Sequence, residues 1–217
     1  MRTIMMFTFV SFMLLTISCA SMVKSAVKDS PISNKVFIHK NPKIGDMAVL
    51  ESVVDKNNPQ ASFIGKTTST MTVKDIKGDL VTVKHDITSS GMMSISGDMF
   101  FEYVVDLDGN VKSAVLIEGS ERTPLKIAQP GDKGYNQFDE VSTEDMQKYN
   151  AQETITVPVG TFECTARYYV DPKKNGEVQI YYTSDEIPFC HIASYVVYEN
   201  DGYKVQPIVE LVNKIKN

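Results

Sequence analysis

The side chains of this chain suited to thiolate, imidazole or metal chemistry are Cys19, Cys164, Cys190, His39, His85 and His191. Cys164, Cys190, His191 and His85 together offer the sulfur and nitrogen donors of a zinc site, yet no C-x-x-C or H-x-x-x-H spacing preorganises them. A thiolate nucleophile at Cys190 activated by His191 meets a geometric objection, because neighbours along a strand point to opposite faces. His85 reads instead as a hydrogen-bonded structural residue and His191 as a surface residue. Asp106, Asp108 and Asn110 open like a calcium loop, but Gly109 is fourth where such a loop needs glycine sixth, and the twelfth residue is Ile117 rather than Glu. That segment reads as a hairpin turn. No catalytic residue, metal or cofactor is therefore expected, and the chain is not expected to be an enzyme.

Cys19 is different because of what precedes it. Ile4 to Ile17 is apolar apart from Thr8, Ser11 and Thr16 and follows the single early charge of Arg2. The run is shorter than the ~20 residues of a bilayer span and fits the apolar region of an export signal. The end of this run, Leu15-Thr16-Ile17-Ser18-Cys19, resembles the lipobox of bacterial lipoproteins, with Thr16 in place of the commoner Leu. The resemblance implies that residues 1–18 are a signal peptide and that the Cys19 thiol is acylated, palmitate being a typical chain. The chain would then be held to a membrane of the bacterial cell envelope. Ala20 and Ser21 lack the aspartate that favours inner-membrane retention in such proteins, which points to the outer membrane and leaves its periplasmic or surface face open. Ordinary secretion, with cleavage after Ala20 or Ala26 and loss of Cys19, is the competing reading.

The chain carries 22 Lys and Arg against 27 Asp and Glu, a net charge of −5, with both signs interspersed. No basic face is available to neutralise a phosphate backbone, so nucleic acid is not expected as a partner. If Cys19 carries lipid, Cys164 and Cys190 remain as an even pair in an oxidising compartment, which makes them a candidate disulfide. Closing that loop would stabilise the fold by about 3–4 kcal/mol in the chain-entropy model. Two buried free thiols are the alternative.

The polar stretch after the signal, with Lys24, Lys28, Asp29, Ser30, Pro31 and Lys35, reads as a flexible tether over residues 19–45. One β-domain then covers 46–217. Its pattern is period-two strands at 47–54, 62–76, 80–88, 92–106, 111–117, 152–157, 161–170, 177–183, 192–199 and 203–212. Lys77-Gly78-Asp79, Asp108-Gly109-Asn110, Asn175-Gly176 and Asn200-Asp201-Gly202 supply the turns. One short helix is expected over 143–149, capped by Ser142 and Asp145. Up-and-down strands with short loops predict a mostly β fold, a single strongly curved antiparallel sheet forming a half-barrel or incomplete barrel; a closed barrel and a sandwich stay open. Met92, Met99, Phe101, Phe162 and Tyr168 are candidate ligand-face residues, because adaptable Met and large aromatics suit an apolar groove; core packing is the alternative.

Within the second half, Thr156-Val157-Pro158-Val159-Gly160-Thr161-Phe162-Glu163-Cys164 is a strand corner in which Pro158 removes a ladder donor and Gly160 permits a sharp bend. That run, followed by Ser184-Asp185-Glu186-Ile187-Pro188, resembles exported bacterial β-domains of unknown function with "VPaGtFxC" and "SpevP" segments. Those domains resemble in turn the half-barrel carriers of lipoprotein localisation. The resemblance spans about residues 151–200 and implies a concave apolar face able to hold a lipid or other hydrophobic ligand. Where the family continues past its proline with a small residue and a glycine, this chain has Phe189-Cys190-His191. The non-enzymatic readings are thus a lipid-anchored, ligand-holding domain and an anchored domain that binds a protein or matrix partner by its outer surface.

Overall fold

In the computed structural model the described residues are 25–52, 65–90, 97–132, 151–170, 177–198 and 204–217. They build one antiparallel sheet of eleven strands. These are β1 (Met47–Ser52), β2 (Lys66–Lys77), β3 (Leu80–Ser90), β4 (Met99–Asp106), β5 (Val111–Glu118), β6 (Glu121–Pro124), β7 (Ala151–Val157), β8 (Gly160–Val170), β9 (Glu177–Thr183), β10 (His191–Tyr198) and β11 (Lys204–Ile215). The spatial order is β6-β5-β4-β3-β2-β1-β11-β10-β9-β8-β7, so β6 and β7 are the edges and the sheet does not close. Two meanders therefore meet in the middle. The first runs outward from β1 to β6, and the second begins at the opposite edge and returns inward to β11, which pairs with β1.

Local chemistry explains the hairpins. Gly78 and Gly109 lie in the left-handed region at φ 60° and 81°, where a residue without Cβ is unstrained. Gly109 has a second role: a Cβ there would stand 2.2 Å from the Val36 carbonyl oxygen. In the register of β2, β3 and β4, Val73, Val83 and Tyr103 align, as do Met71, His85 and Phe101. The alternation of Val81, Val83, His85 and Ile87 is thereby turned toward the core, where Val81 and Val83 are fully buried. The second meander curls. Cα atoms of β7 come within 8 Å of β10 and β11, three and four places away in the sheet order. Lys214 on β11 sits 4.4 Å from the centre of the Phe162 ring on β8. Ladder irregularities between Val49 and Leu50, and between Ser194 and Tyr195, both involve β11 and bend the junction of the two meanders.

Three features depart from the sequence reading. Residues 32–36 fall within the expected tether, yet their backbone is tied to the sheet. Ile32 N–H donates to Lys126 O (2.9 Å), Ala128 N–H to Ile32 O (2.8 Å), Val36 N–H to Gly109 O (2.8 Å) and Val111 N–H to Asn34 O (2.8 Å). This strap covers the part of the β5 edge that short β6 leaves open, and Val27, Ile32, Val36 and Ile38 pack on the core. β6 is a strand the sequence reading lacks, since its four residues, Glu-Arg-Thr-Pro, carry no alternating apolar signal. A short helix lies at 25–29, pinned by Lys28 to Glu118 at 2.6 Å. The helix expected at 143–149 lies outside the described residues, as do residues 1–18, Cys19 and Met92.

At the start of β1 the fold is fastened by a buried carboxylate. Asp46 is fully buried; one oxygen accepts the Lys43 N–H (2.8 Å) and the other the Asn217 N–H (2.8 Å). Asn217 Nδ2 also donates to Ile44 O (3.2 Å), and His39 Nε2 lies 3.2 Å from Asp46. Replacing Asp46 by Ala removes the shared acceptor of two part-buried N–H donors and should cost about 2 kcal/mol, read as a lower urea midpoint at unchanged slope.

Candidate functional site

The polar side chains that the fold brings together lie in two serine–histidine pairs. In the first, adjacent strands β2 and β3 place Ser69 Oγ 2.8 Å from His85 Nε2, and β4 brings the Tyr103 hydroxyl 3.4 Å from His85 Nδ1. Phe101 stacks beside Tyr103 with ring centres 6.0 Å apart, and His85 tilts against both rings at 5.9 Å. The row is thus a short chain of hydrogen bonds set among apolar neighbours. In the second pair His191 Nε2 lies 2.7 Å from Ser194 Oγ on the same strand, with the Tyr181 ring centre 6.2 Å away.

Electrostatics decide what these pairs can do. Burial pushes both imidazoles down to about 4; for His85 the nearby Asp86 charge opposes this only partly. Burial likewise raises the Tyr103 hydroxyl. Both histidines are neutral at pH 7. A Ser–His hydrogen bond of 2.8 Å has the spacing of a nucleophile and its base, but the third partner of His85 is a phenol. Among the described residues no carboxylate is hydrogen-bonded to either ring, and the Asp86 charge near His85 does not overcome burial, so the imidazolium that proton abstraction would create gains little support. These groups serve as satisfied hydrogen-bond partners inside the sheet. The sequence reading placed His85 on an inward face; His191, read as a surface residue, is half-buried, with its ring turned onto Ser194, which is 2% exposed. The Ser69 partnership escaped the sequence, because it arises only from the β2–β3 register.

Cys164 and Cys190 are both buried and are not joined in a disulfide, which departs from the disulfide expectation. The register explains it. Thr165 pairs with Thr183, and Ser184 N–H donates to Cys190 O (2.8 Å), so β9 runs between the two cysteines. Two interstrand steps amount to roughly 9–10 Å, beyond the Cα separation of about 7 Å that a disulfide tolerates. Burial pushes the Cys164 thiol up to about 11, which removes it as a nucleophile at neutral pH. Cys190 Sγ points toward Asp185 Oδ1 at 3.7 Å. Among the described residues no cluster of three or more His, Cys, Asp or Glu could hold a metal. At the Asp106 turn, Asp106 accepts from Asn110 and pairs with Lys112 at 2.8 Å. Burial opposes ionisation there, but Lys112 and Asn110 outweigh it and hold the carboxyl at about 2. Those oxygens close a hairpin.

The candidate ligand-face residues are packed. Phe101 and Phe162 are each 4% exposed, and Met99 packs on the same core. Tyr168 lies in β8 with its side chain outside the described part. The loop from Ser184 to Cys190 adds further apolar filling, with Ile187, Pro188 and Phe189 all buried. Its last two residues, Phe189 and Cys190, have φ of 61° and 56°, in the left-handed region that costs non-glycine residues about 1–3 kcal/mol each. This is the place where the resembling domains carry a small residue and a glycine.

Two outcomes follow from this packing. Phe101→Ala and Phe162→Ala should each lower unfolding stability by about 3–5 kcal/mol, because they empty a filled core. Unfolded histidine takes up its proton near pH 6.5 while folded His85 and His191 resist until about 4. Stability is therefore full above pH 6.5 and falls as pH drops toward 4, by about 1 kcal/mol per pH unit for each histidine. Urea midpoints between pH 7 and 4 check this, and His85→Gln should flatten the slope.

No protein-family model matches the sequence, and neither does any curated protein. Among solved structures the chain is similar to a Bacteroides fragilis protein described as a "putative exported protein with YmcC-like fold". The identity is 11% and the TM-score 0.39, over 83% of this chain and 100% of that one. It is also similar to the hypothetical protein CT021 of Chlamydia trachomatis, at 12% identity and a TM-score of 0.38, over 77% of this chain and 86% of that one.

Proposed function

We propose that this chain is a non-enzymatic lipoprotein of the bacterial cell envelope, acylated on Cys19, whose β-domain acts on a protein or matrix partner through its outer surface. The observation that carries the choice of surface over interior is the filling of the core: Phe101, Phe162 and Phe189 are each at most 4% exposed. A carrier of acyl chains needs apolar wall left uncovered by its own side chains, and the described part of the interior leaves little. The export reading rests on the apolar run before Cys19 and on the resemblance of that run to a lipobox. The non-enzymatic reading is supported by the two neutral histidines, each bound to a serine and neither, among the described residues, hydrogen-bonded to a carboxylate. Outer-membrane placement is supported by Ala20 and Ser21, which stand after Cys19 where an aspartate would favour inner-membrane retention.

Two measurements test the reading. Cys19→Ala should leave the domain folded and move it from the detergent phase to the aqueous phase on Triton X-114 partition; continued detergent partition would sink the anchor. Organic extraction of the protein purified from its own host should yield no stoichiometric lipid besides that covalently bound at Cys19. A lipid recovered in equal amount from the Cys19→Ala form would favour interior carriage instead.

A further inference from the structure

The loop Ser184–Cys190 combines three properties that seldom coincide. It is apolar and buried at Ile187, Pro188 and Phe189, while Asp185 and Glu186 between Ser184 and Ile187 are exposed. Its backbone is strained at two consecutive non-glycine residues. Beyond those buried side chains, a polar clamp holds it from the outside. Lys216 Nζ donates to the carbonyls of Asp185 and Glu186, each at 3.1 Å, and Lys216 is itself an exposed side chain. The loop's ends are hinged on the ladder, with Ser184 N–H bonded to Cys190 O (2.8 Å) and His191 N–H to Phe189 O (2.7 Å).

We propose that Ser184–Cys190 is a plug that opens as a local unit, drawing Ile187 and Phe189 out of the end of the curled meander while the eleven-stranded sheet stays folded. Strain at Phe189 and Cys190 is released on opening, so it offsets part of the apolar burial that holds the loop in place. The Lys216 clamp supplies the rest of the hold from outside, where solvent competes for both carbonyls. Cys190 reports on the motion, since its thiol is 6% exposed and leaves the core with the loop. Cys164 serves as the internal control: it is 0% exposed and sits in the middle of a strand paired on both sides. The plug does not depend on the lipid-anchor reading, because none of its residues lies in the signal or at Cys19.

The test is thiol exchange on the folded chain carrying Cys19→Ala, with 5,5′-dithiobis(2-nitrobenzoate) and identification of the modified peptide by mass spectrometry. Cys190 should react at a rate nearly independent of low urea and at least about tenfold faster than Cys164, which should follow the steep urea dependence of global unfolding. Lys216→Met should accelerate Cys190 by about tenfold at low urea; because the lost contacts belong to the closed native state alone, it should speed Cys164 by the same factor and lower the urea midpoint, leaving the two cysteines' contrasting urea dependences in place. Hydrogen exchange at the Ser184 and His191 amides gives a readout free of thiol chemistry and should speed up in parallel. Equal rates and equal urea dependence for the two cysteines, or no response of Cys190 and the two amides to Lys216→Met, would overturn the proposal.

Discussion

The pairing of β1 with β11 is the constraint on which the rest depends. Each meander is a run of hairpins between sequence neighbours, and this one ladder makes them a single sheet. Its pairs run from Met47 with Ile215 to Ser52 with Val209, interrupted where Leu50 meets Leu211. Both of those leucines are buried, so the ladder is also part of the core. Asp46 fixes the register from outside the ladder. By accepting the Asn217 N–H it ties the end of β11 to the residue before β1, and by accepting the Lys43 N–H it shapes the turn that delivers β1.

The hairpins were the legible part of this architecture. The alternation of Val81, Val83, His85 and Ile87, and the glycines at 78 and 109, carry their meaning locally: a period of two says strand, and a glycine between two such runs says turn. The meeting of β1 with β11 was not legible, because nothing in Met47–Ser52 marks which strand lies beyond it. Nor was the strap at residues 32–36. Its composition is that of a linker, and its order comes from backbone hydrogen bonds to 109–111 and 126–128 together with the packing of Ile32 and Val36 on the core, partners that local sequence does not name. The cysteine pair shows the same limit. Counting thiols suggested a bond, and the register places a strand between them.

The polar groups of the core show why a chemically suggestive contact does not amount to a reaction. Ser69 with His85 and Ser194 with His191 both have short hydrogen bonds, yet each imidazole is held neutral by its surroundings. A buried hydroxyl and a buried imidazole satisfy each other, and a sheet interior then tolerates both. What these rows contribute is specificity of register. Sliding β2 past β3 by one residue would separate Ser69 from His85 and turn the apolar set of a whole strand outward.

The long reach of the β1–β11 ladder has a kinetic side. During synthesis the first meander emerges early and can form from neighbouring hairpins alone. The second partner of β1, β11, begins only at Lys204, after about seven-tenths of the chain has intervened. Until then the outer edge of β1 presents open backbone donors and acceptors beside the apolar side chains of Ala48 and Leu50. Contacts of such high sequence separation form slowly, and an unpaired edge in the interval is a template for mispairing. The half-made sheet is therefore the most aggregation-prone species of this chain, and its lifetime is set by how soon β11 arrives.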